Sequence, residues 1–305
     1  MEELYIKEWL DWHLNVVGID HIYLCDNNDI DYSVQLSEVI QDYILSGAVT
    51  LIDYRGVFPI QPMCYTETYN TYGEKFDWFV IIDIDEFLSL PRFDNKLKPL
   101  LQLDHIKDNI YFSILCRIYN DNNLITYDPR PCQERFTKEI LANDIKSAKA
   151  RFSYGNLMKS VVKGIKYAGF TEQIKISIYH QHDCFNYYPD FKRIDIFGNQ
   201  ISQQLLGGLW PLKEFPGCDE QKYLESCYNT CCIKHYMTKT IDEYIKQKII
   251  RGDTLIEKED IHTYPYNIAQ FFEFNEYTEE KNNFIKINYP DLYNVWSQYL
   301  KRVSV

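Results

Sequence analysis

Three carboxylates close the most apolar stretch of the chain, Trp78-Phe79-Val80-Ile81-Ile82-Asp83-Ile84-Asp85-Glu86-Phe87-Leu88. Side chains alternate along a strand, so a strand running through Asp85 projects Asp83 and Asp85 to one side and Ile84 to the other. Two unpaired carboxylates so placed repel, and one keeps its proton; a bound divalent cation removes the conflict. A continuous run such as Phe79 to Ile82 predicts a strand buried on both faces of a parallel α/β sheet. The carboxyl end of such a strand is where open sheets bind ligands. The plainer alternative is that Asp-Ile-Asp-Glu ends a strand and caps the next helix, but three acids after so apolar a run are hard to explain by solvation alone.

The elements that must position this stretch can be read in order. Leu4, Ile6, Trp9, Leu10, His13, Leu14 and Val17 fall at helical spacing, and Gly18 stops the helix. His21 to Cys25 is a short strand halted by Asp26-Asn27-Asn28-Asp29. Helix (Val34 to Leu45), strand (Val49 to Tyr54) and helix (Pro62 to Lys75) follow before the acidic strand. This alternation predicts a mostly parallel sheet flanked by helices, in a single α/β domain. Beyond it the pattern predicts a helix over Asn95 to Ile106 and a strand over Asn109 to Tyr119. Short strands are expected at Ser160 to Lys163 and Lys175 to Tyr179. A mobile segment is expected near Gly207 to Gly217, and helices over Asp219 to Tyr228, Ile241 to Ile250 and Leu292 to Lys301.

Composition bounds the function. The chain has 305 residues, of which 46% are hydrophobic, enough for a substantial core. Lys and Arg number 32 against 44 Asp and Glu, so net charge is 32 − 44 = −12, which argues against nucleic acid as the main partner. Between Arg130 and Lys175, however, ten basic residues face four acidic ones. Such an island suits a diphosphate, an anionic membrane surface or plain solvation. The 26 tyrosines suit a carbohydrate enzyme, since sugars stack on aromatic faces, and suit a biased coding composition equally well. Nine cysteines at irregular spacing, with no signal peptide, read as reduced cytosolic thiols. No apolar run approaches the ~18 residues that a membrane span needs.

Several stretches together resemble the glycosyltransferases of family 92 and the related family-2-like enzymes of the GT-A fold. They are Tyr5-Ile6-Lys7-Glu8-Trp9-Leu10-Asp11-Trp12-His13 with Gly18-Ile19-Asp20-His21-Ile22-Tyr23 and Asp26-Asn27-Asn28; Asp77-Trp78 through Phe87; and His235-Tyr236-Met237-Thr238-Lys239-Thr240 with Glu243-Tyr244 and Lys248 to Gly252. Lys159-Ser160-Val161-Val162-Lys163 is a less distinct fourth. The resemblance covers residues 1–253, with 120–217 as an acceptor-side insertion and 254–305 as a helical tail. It implies a GT-A-like sheet and a metal-dependent transferase, inverting, that moves a sugar from a nucleotide-sugar donor to a glycan or lipid-linked acceptor. The implied location is cytoplasmic, peripheral at the inner face of the membrane.

By the same resemblance, Asp85 binds Mn2+ or Mg2+, Asp83 holds metal or ribose, and His235 completes the metal shell, with His180 and His182 as alternatives. Asp26 would meet the nucleoside, although Asp-Asn-Asn is also good turn chemistry. Lys159 and Lys239 are candidate phosphate partners. Asp219 or Glu220 would be the base, although acids also suit a helix N-terminus. A catalytically inactive sugar- or nucleotide-binding protein on the same fold is the alternative. A two-carboxylate hydrolase fits poorly, because Asp83 and Asp85 do not flank a bond. Relatives of this kind begin with an apolar strand that lies between the strands placed here at His21–Cys25 and Phe79–Ile82. Met1-Glu2-Glu3-Leu4 instead enters a helix at once. The expectation is that the sequence begins too late for that strand, or that another segment takes its slot.

Overall fold

The structure, a computed structural model, describes residues 2–57, 61–140, 157–166, 192–201, 219–250 and 264–303. The expected strand at Lys175 to Tyr179, the segment from Gly207 to Gly217, and His180 and His182 lie outside the described residues. The chain groups into two compact units: Met1–Arg117 with Asn156–His235, and Ile118–Gly155 with Tyr236–Val305.

The first unit is mixed α/β. Helix α1 (Ile6–Asp11) runs on as π-helical turns over Trp12–Val17, and Gly18, with φ of 80°, ends it in the left-handed conformation that glycine adopts without strain. Strands β1 (Ile22–Asp26) and β2 (Val49–Asp53) pair in parallel as a small sheet of their own. Helix α2 (Gln61–Tyr72) lies over β1, where Tyr72 stacks on Tyr23 with centroids 4.1 Å apart. Next come β3 (Trp78–Val80), β4 (Glu86–Ser89), β5 (Tyr111–Tyr119), β6 (Glu139–Ile140), β7 (Met158–Lys163), β8 (Arg193–Ile194) and β9 (Gln200–Ile201). Helix α3 (Glu220–Thr230) and β10 (Cys232–His235) complete the set. The larger sheet runs β3-β7-β5-β10-β4, with β6, β8 and β9 attached beside β5.

This corrects the expected mostly parallel sheet. In the larger sheet β3–β7, β5–β7, β5–β6, β8–β9 and β4–β10 are antiparallel, and β5–β8 is a short parallel pairing. Helix–strand alternation before residue 83 was a sound guide to β1 and β2, but the partners of β3 and β4 come from far downstream. The buried strand expected over Phe79–Ile82 is also shorter, and its residues Trp78, Phe79 and Val80 are only half-buried. β4, β5 and β7 are the strands buried throughout or nearly so. Among the described residues, β1 pairs only with β2 and β3 only with β7, so His21–Cys25 and Phe79–Ile82 do not pair directly. Gly164 lets the chain pass close by: a Cβ there would sit 2.0 Å from the Phe76 carbonyl oxygen.

β4 is held on both edges. One edge pairs with β10. On the other, side chains of the first helix take the place of a strand: Trp9 Nε1 donates to the Glu86 carbonyl (2.7 Å) and Trp12 Nε1 to that of Leu88 (2.8 Å). The Leu88 N–H donates to His13 Nε2 (3.2 Å), while His13 Nδ1 donates to the Trp9 carbonyl (2.8 Å). The Trp9, Trp12, His13 spacing thus places three polar tips along one backbone edge that would otherwise be unsatisfied.

In the second unit, Thr240 caps helix α4 (Ile241–Tyr244), whose axis continues as π-helical turns to Ile250. The tail holds three helices rather than the one expected: α5 (Tyr264–Phe274), α6 (Glu279–Asn288) and α7 (Pro290–Val303). Ile241, Ile245, Ile268, Phe271, Ile285 and Trp296 form their shared core.

Candidate metal centre

After Val80 the chain turns. The Glu86 N–H donates to the Asp83 carbonyl (3.1 Å), closing a four-residue turn over Ile84 and Asp85. The expectation of a strand running through Asp85, with Asp83 and Asp85 on one side, is therefore corrected. A turn brings its first and fourth residues to within ~7 Å, so the partner that Asp83 meets is Glu86. The Asp83 N–H donates to Glu86 Oε2 at 2.9 Å.

Strand register brings the rest. His235 lies directly opposite Glu86 in the β4–β10 pair, and Lys159 lies opposite Ile114, two residues before Cys116, in the β5–β7 pair. Directly opposed residues share a face, as do residues two apart on one strand. Four strands thus deliver Lys159, Cys116, His235 and Glu86 to one buried patch. Lys159 Nζ donates to Asp83 Oδ2 (2.6 Å) and lies 3.0 Å from Glu86 Oε2. Asp83 Oδ1 accepts from Tyr65 Oη (2.9 Å) and Gln61 Nε2 (2.8 Å). His235 stands between two acids, with Nε2 3.7 Å from Asp85 Oδ1 and Nδ1 3.7 Å from Glu86 Oε1.

The protonation states follow from burial and neighbours. Burial pushes the Asp83 carboxyl upward, but the Lys159 ammonium outweighs it and holds the group below the usual carboxylate range. Glu86 is completely buried, and there desolvation wins over Lys159, so its carboxyl sits above the usual range. Burial would lower Lys159, yet Asp83 and Glu86 raise it, so it stays charged. Burial would likewise lower His235, but Glu86 and then Asp85 raise it.

Whether these groups suit a divalent cation is decided by the donors left over. Among the described residues, Glu86 Oε1 and His235 Nδ1 are buried without a hydrogen-bond partner, a costly arrangement unless something binds there. Ligand atoms of Asp83, Asp85 and Glu86 lie within 4.8 Å of one another. Three carboxyl groups crowd one ammonium here, and a divalent cation would relieve their mutual repulsion. The donor set fits a hard cation, with the carboxylates of Asp83, Asp85 and Glu86 as its grouped ligands, His235 Nε2 beside Asp85 and Asp83 braced by Lys159.

The other expected site residues fall elsewhere. Asp26 ends β1, and its Oδ1 accepts from the Asn28 N–H (3.1 Å) and from Asn28 Nδ2 (2.8 Å), which is the turn chemistry noted above. Asp219 caps α3, accepting from the Lys222 N–H at 3.3 Å, and Glu220 opens that helix. Lys239 is a buried residue of the second unit with φ of 49°, and its ammonium donates to Gln247 Oε1 at 3.3 Å. Sequence reasoning passed over Tyr65, Gln61 and Cys116 and used Glu86 only as a third acid. Glu86 was within reach, since the Asp-x-x-Glu spacing also fits a turn. The other three carry no local signal, because long-range pairing brings them in.

No known family model matches the chain, and no curated protein matches its sequence. Among the described residues, no helix is long and apolar enough to cross a membrane.

Proposed function

We propose that this chain is a metal-dependent glycosyltransferase of GT-A-like fold, resembling family 92, that moves a sugar from a nucleotide donor to a glycan or lipid-linked acceptor with inversion, at the cytoplasmic face of a membrane. The observation that carries the reading is the position of His235, held within 3.7 Å of Asp85 although 150 positions away, over a buried patch with an excess of acid. Asp85 and Glu86, with Asp83 beside them, would hold Mn2+ or Mg2+, with His235 Nε2 approaching on the Asp85 side and Lys159 bracing Asp83. A cation there would offset the charge growing on the departing nucleoside diphosphate. Asp26 would receive the nucleoside, and Asp219 or Glu220 the acceptor proton. A non-catalytic sugar or nucleotide binder is favoured by one observation: both Asp83 oxygens and the Asp219 cap already have partners. Release of free nucleoside diphosphate from a panel of nucleotide sugars decides between them. The transferase releases it in Mn2+ and not in chelator; a binder is stabilised by the donor but releases nothing.

A further inference from the structure

The ring of His235 has two edges, and they face different chemistry. Nε2 looks toward Asp85, at the partly open side of the patch. Nδ1 faces Glu86 Oε1 at 3.7 Å, and ligand atoms of Glu86, Cys116 and His235 all lie within 4.8 Å of one another. Each of these three residues is more than nine-tenths buried. Among the described residues, Glu86 Oε1 and His235 Nδ1 make no hydrogen bond and only face each other, so two of the three donors are already desolvated and free to take a cation between them.

We infer that Glu86, Cys116 and His235 Nδ1 form a second, buried site selective for a thiophilic divalent cation, Zn2+ above all. Carboxylate, imidazole and thiolate are the ligand types zinc takes at roughly 2.0–2.3 Å, and three of them leave a fourth position for water. Mg2+ and Mn2+ favour oxygen and gain little from sulfur. Binding through Nδ1 puts the ring proton on Nε2, where the Asp85 carboxylate 3.7 Å away becomes the outer partner that zinc-bound histidines commonly have. The Cys116 thiol gives its proton to solvent and ligates as thiolate; nothing is oxidised or reduced. Lys159 does not block the position, because it engages the other oxygen of Glu86, Oε2. The inference does not rest on the transferase reading. A cation on Nδ1 does, however, withdraw His235 from the Asp85 side, so zinc and the hard cation exclude each other.

Co2+ is the probe, because cobalt–thiolate bonding gives a charge-transfer absorption in the near ultraviolet that oxygen and nitrogen ligation does not. The reduced chain titrated with Co2+ should show that band, and Zn2+ should abolish it stoichiometrically. Cys116→Ser should lose the band and bind Zn2+ more weakly by at least the ~10–100-fold that loss of a supporting residue costs. Asp85→Asn removes only the outer partner of His235, so it should need roughly 10–100-fold more Co2+ yet show the band at saturation. If Cys116→Ser does not fold, His235→Gln serves in its place, with every cysteine present and the band still lost. Absence of the band in the wild-type chain overturns the inference and leaves His235 as an ion-pair partner of its two acids. Its persistence in Cys116→Ser, or its absence from saturated Asp85→Asn, also overturns it.

Discussion

Each unit of the molecule buries a charged cluster, and the two clusters are finished differently. In the second unit, Arg135 Nη1 lies 3.1 Å from both oxygens of Glu243, and Glu243 Oε2 also accepts from the Thr240 N–H (3.2 Å) and Thr240 Oγ1 (2.6 Å). Both oxygens are engaged, and the product is a capped helix start. In the first unit, Asp83 is equally well served, yet among the described residues Glu86 Oε1 and His235 Nδ1 make no hydrogen bond and only face each other at 3.7 Å. Buried polar groups are nearly always paired. In the completed cluster of the second unit the buried carboxylate is fully engaged, and of the Arg135 guanidinium only Nε makes no hydrogen bond among the described residues. In the first unit the carboxylate itself has an unused oxygen, which is the end that can take a cation.

The largest effect should come from breaking the completed cluster. Arg135→Met leaves Glu243 buried without its cation and should lower unfolding free energy by about 3–5 kcal/mol in urea titrations. That loss should be the same with and without Mn2+. A metal-dependent loss would blur the distinction between the clusters.

The two buried histidines sharpen it further. Both ring nitrogens of His13 are satisfied, and burial holds its imidazole down to about 4, from an ordinary 6.5. As pH falls from 6.5 toward 4, the unfolded chain takes up a proton that the folded chain refuses, so stability declines across that window. By pH 4 the loss from this ring should reach roughly 3 kcal/mol. His13→Gln cannot titrate, so urea titrations at pH 7 and 4.5 should show the variant losing less than wild type. Equal losses would mean that His13 is not held neutral.

Much of this was legible in the sequence, and the remainder was hidden for a physical reason. Helix α1, β1, β2 and the stop at Gly18 follow from local periodicity and turn chemistry. The candidate metal centre is the part best marked, since Asp83, Asp85 and Glu86 announce themselves. The turn at Ile84–Asp85 was not visible, because the alternating apolar–acidic pattern fits a strand equally well. Antiparallel pairing of β3 with β7 and of β4 with β10 depends on contacts across 81 to 149 positions, which periodicity does not encode. Lys159 shows the consequence. Read as a phosphate partner, it is instead a buried ammonium with exposure of 1%, spent on Asp83 and Glu86.

The central claim is that the Asp83, Asp85 and Glu86 cluster holds a divalent cation through Asp85. Thermal unfolding in chelator and in Mn2+, for the wild-type chain and for Asp85→Asn, tests it most directly. Mn2+ at a hundredfold its dissociation constant should stabilise the wild type by about 2.7 kcal/mol and raise its midpoint accordingly. Asp85→Asn should unfold near the wild-type midpoint in chelator and gain nothing from Mn2+. An equal Mn2+ shift in both proteins, or none in the wild type, would contradict the account.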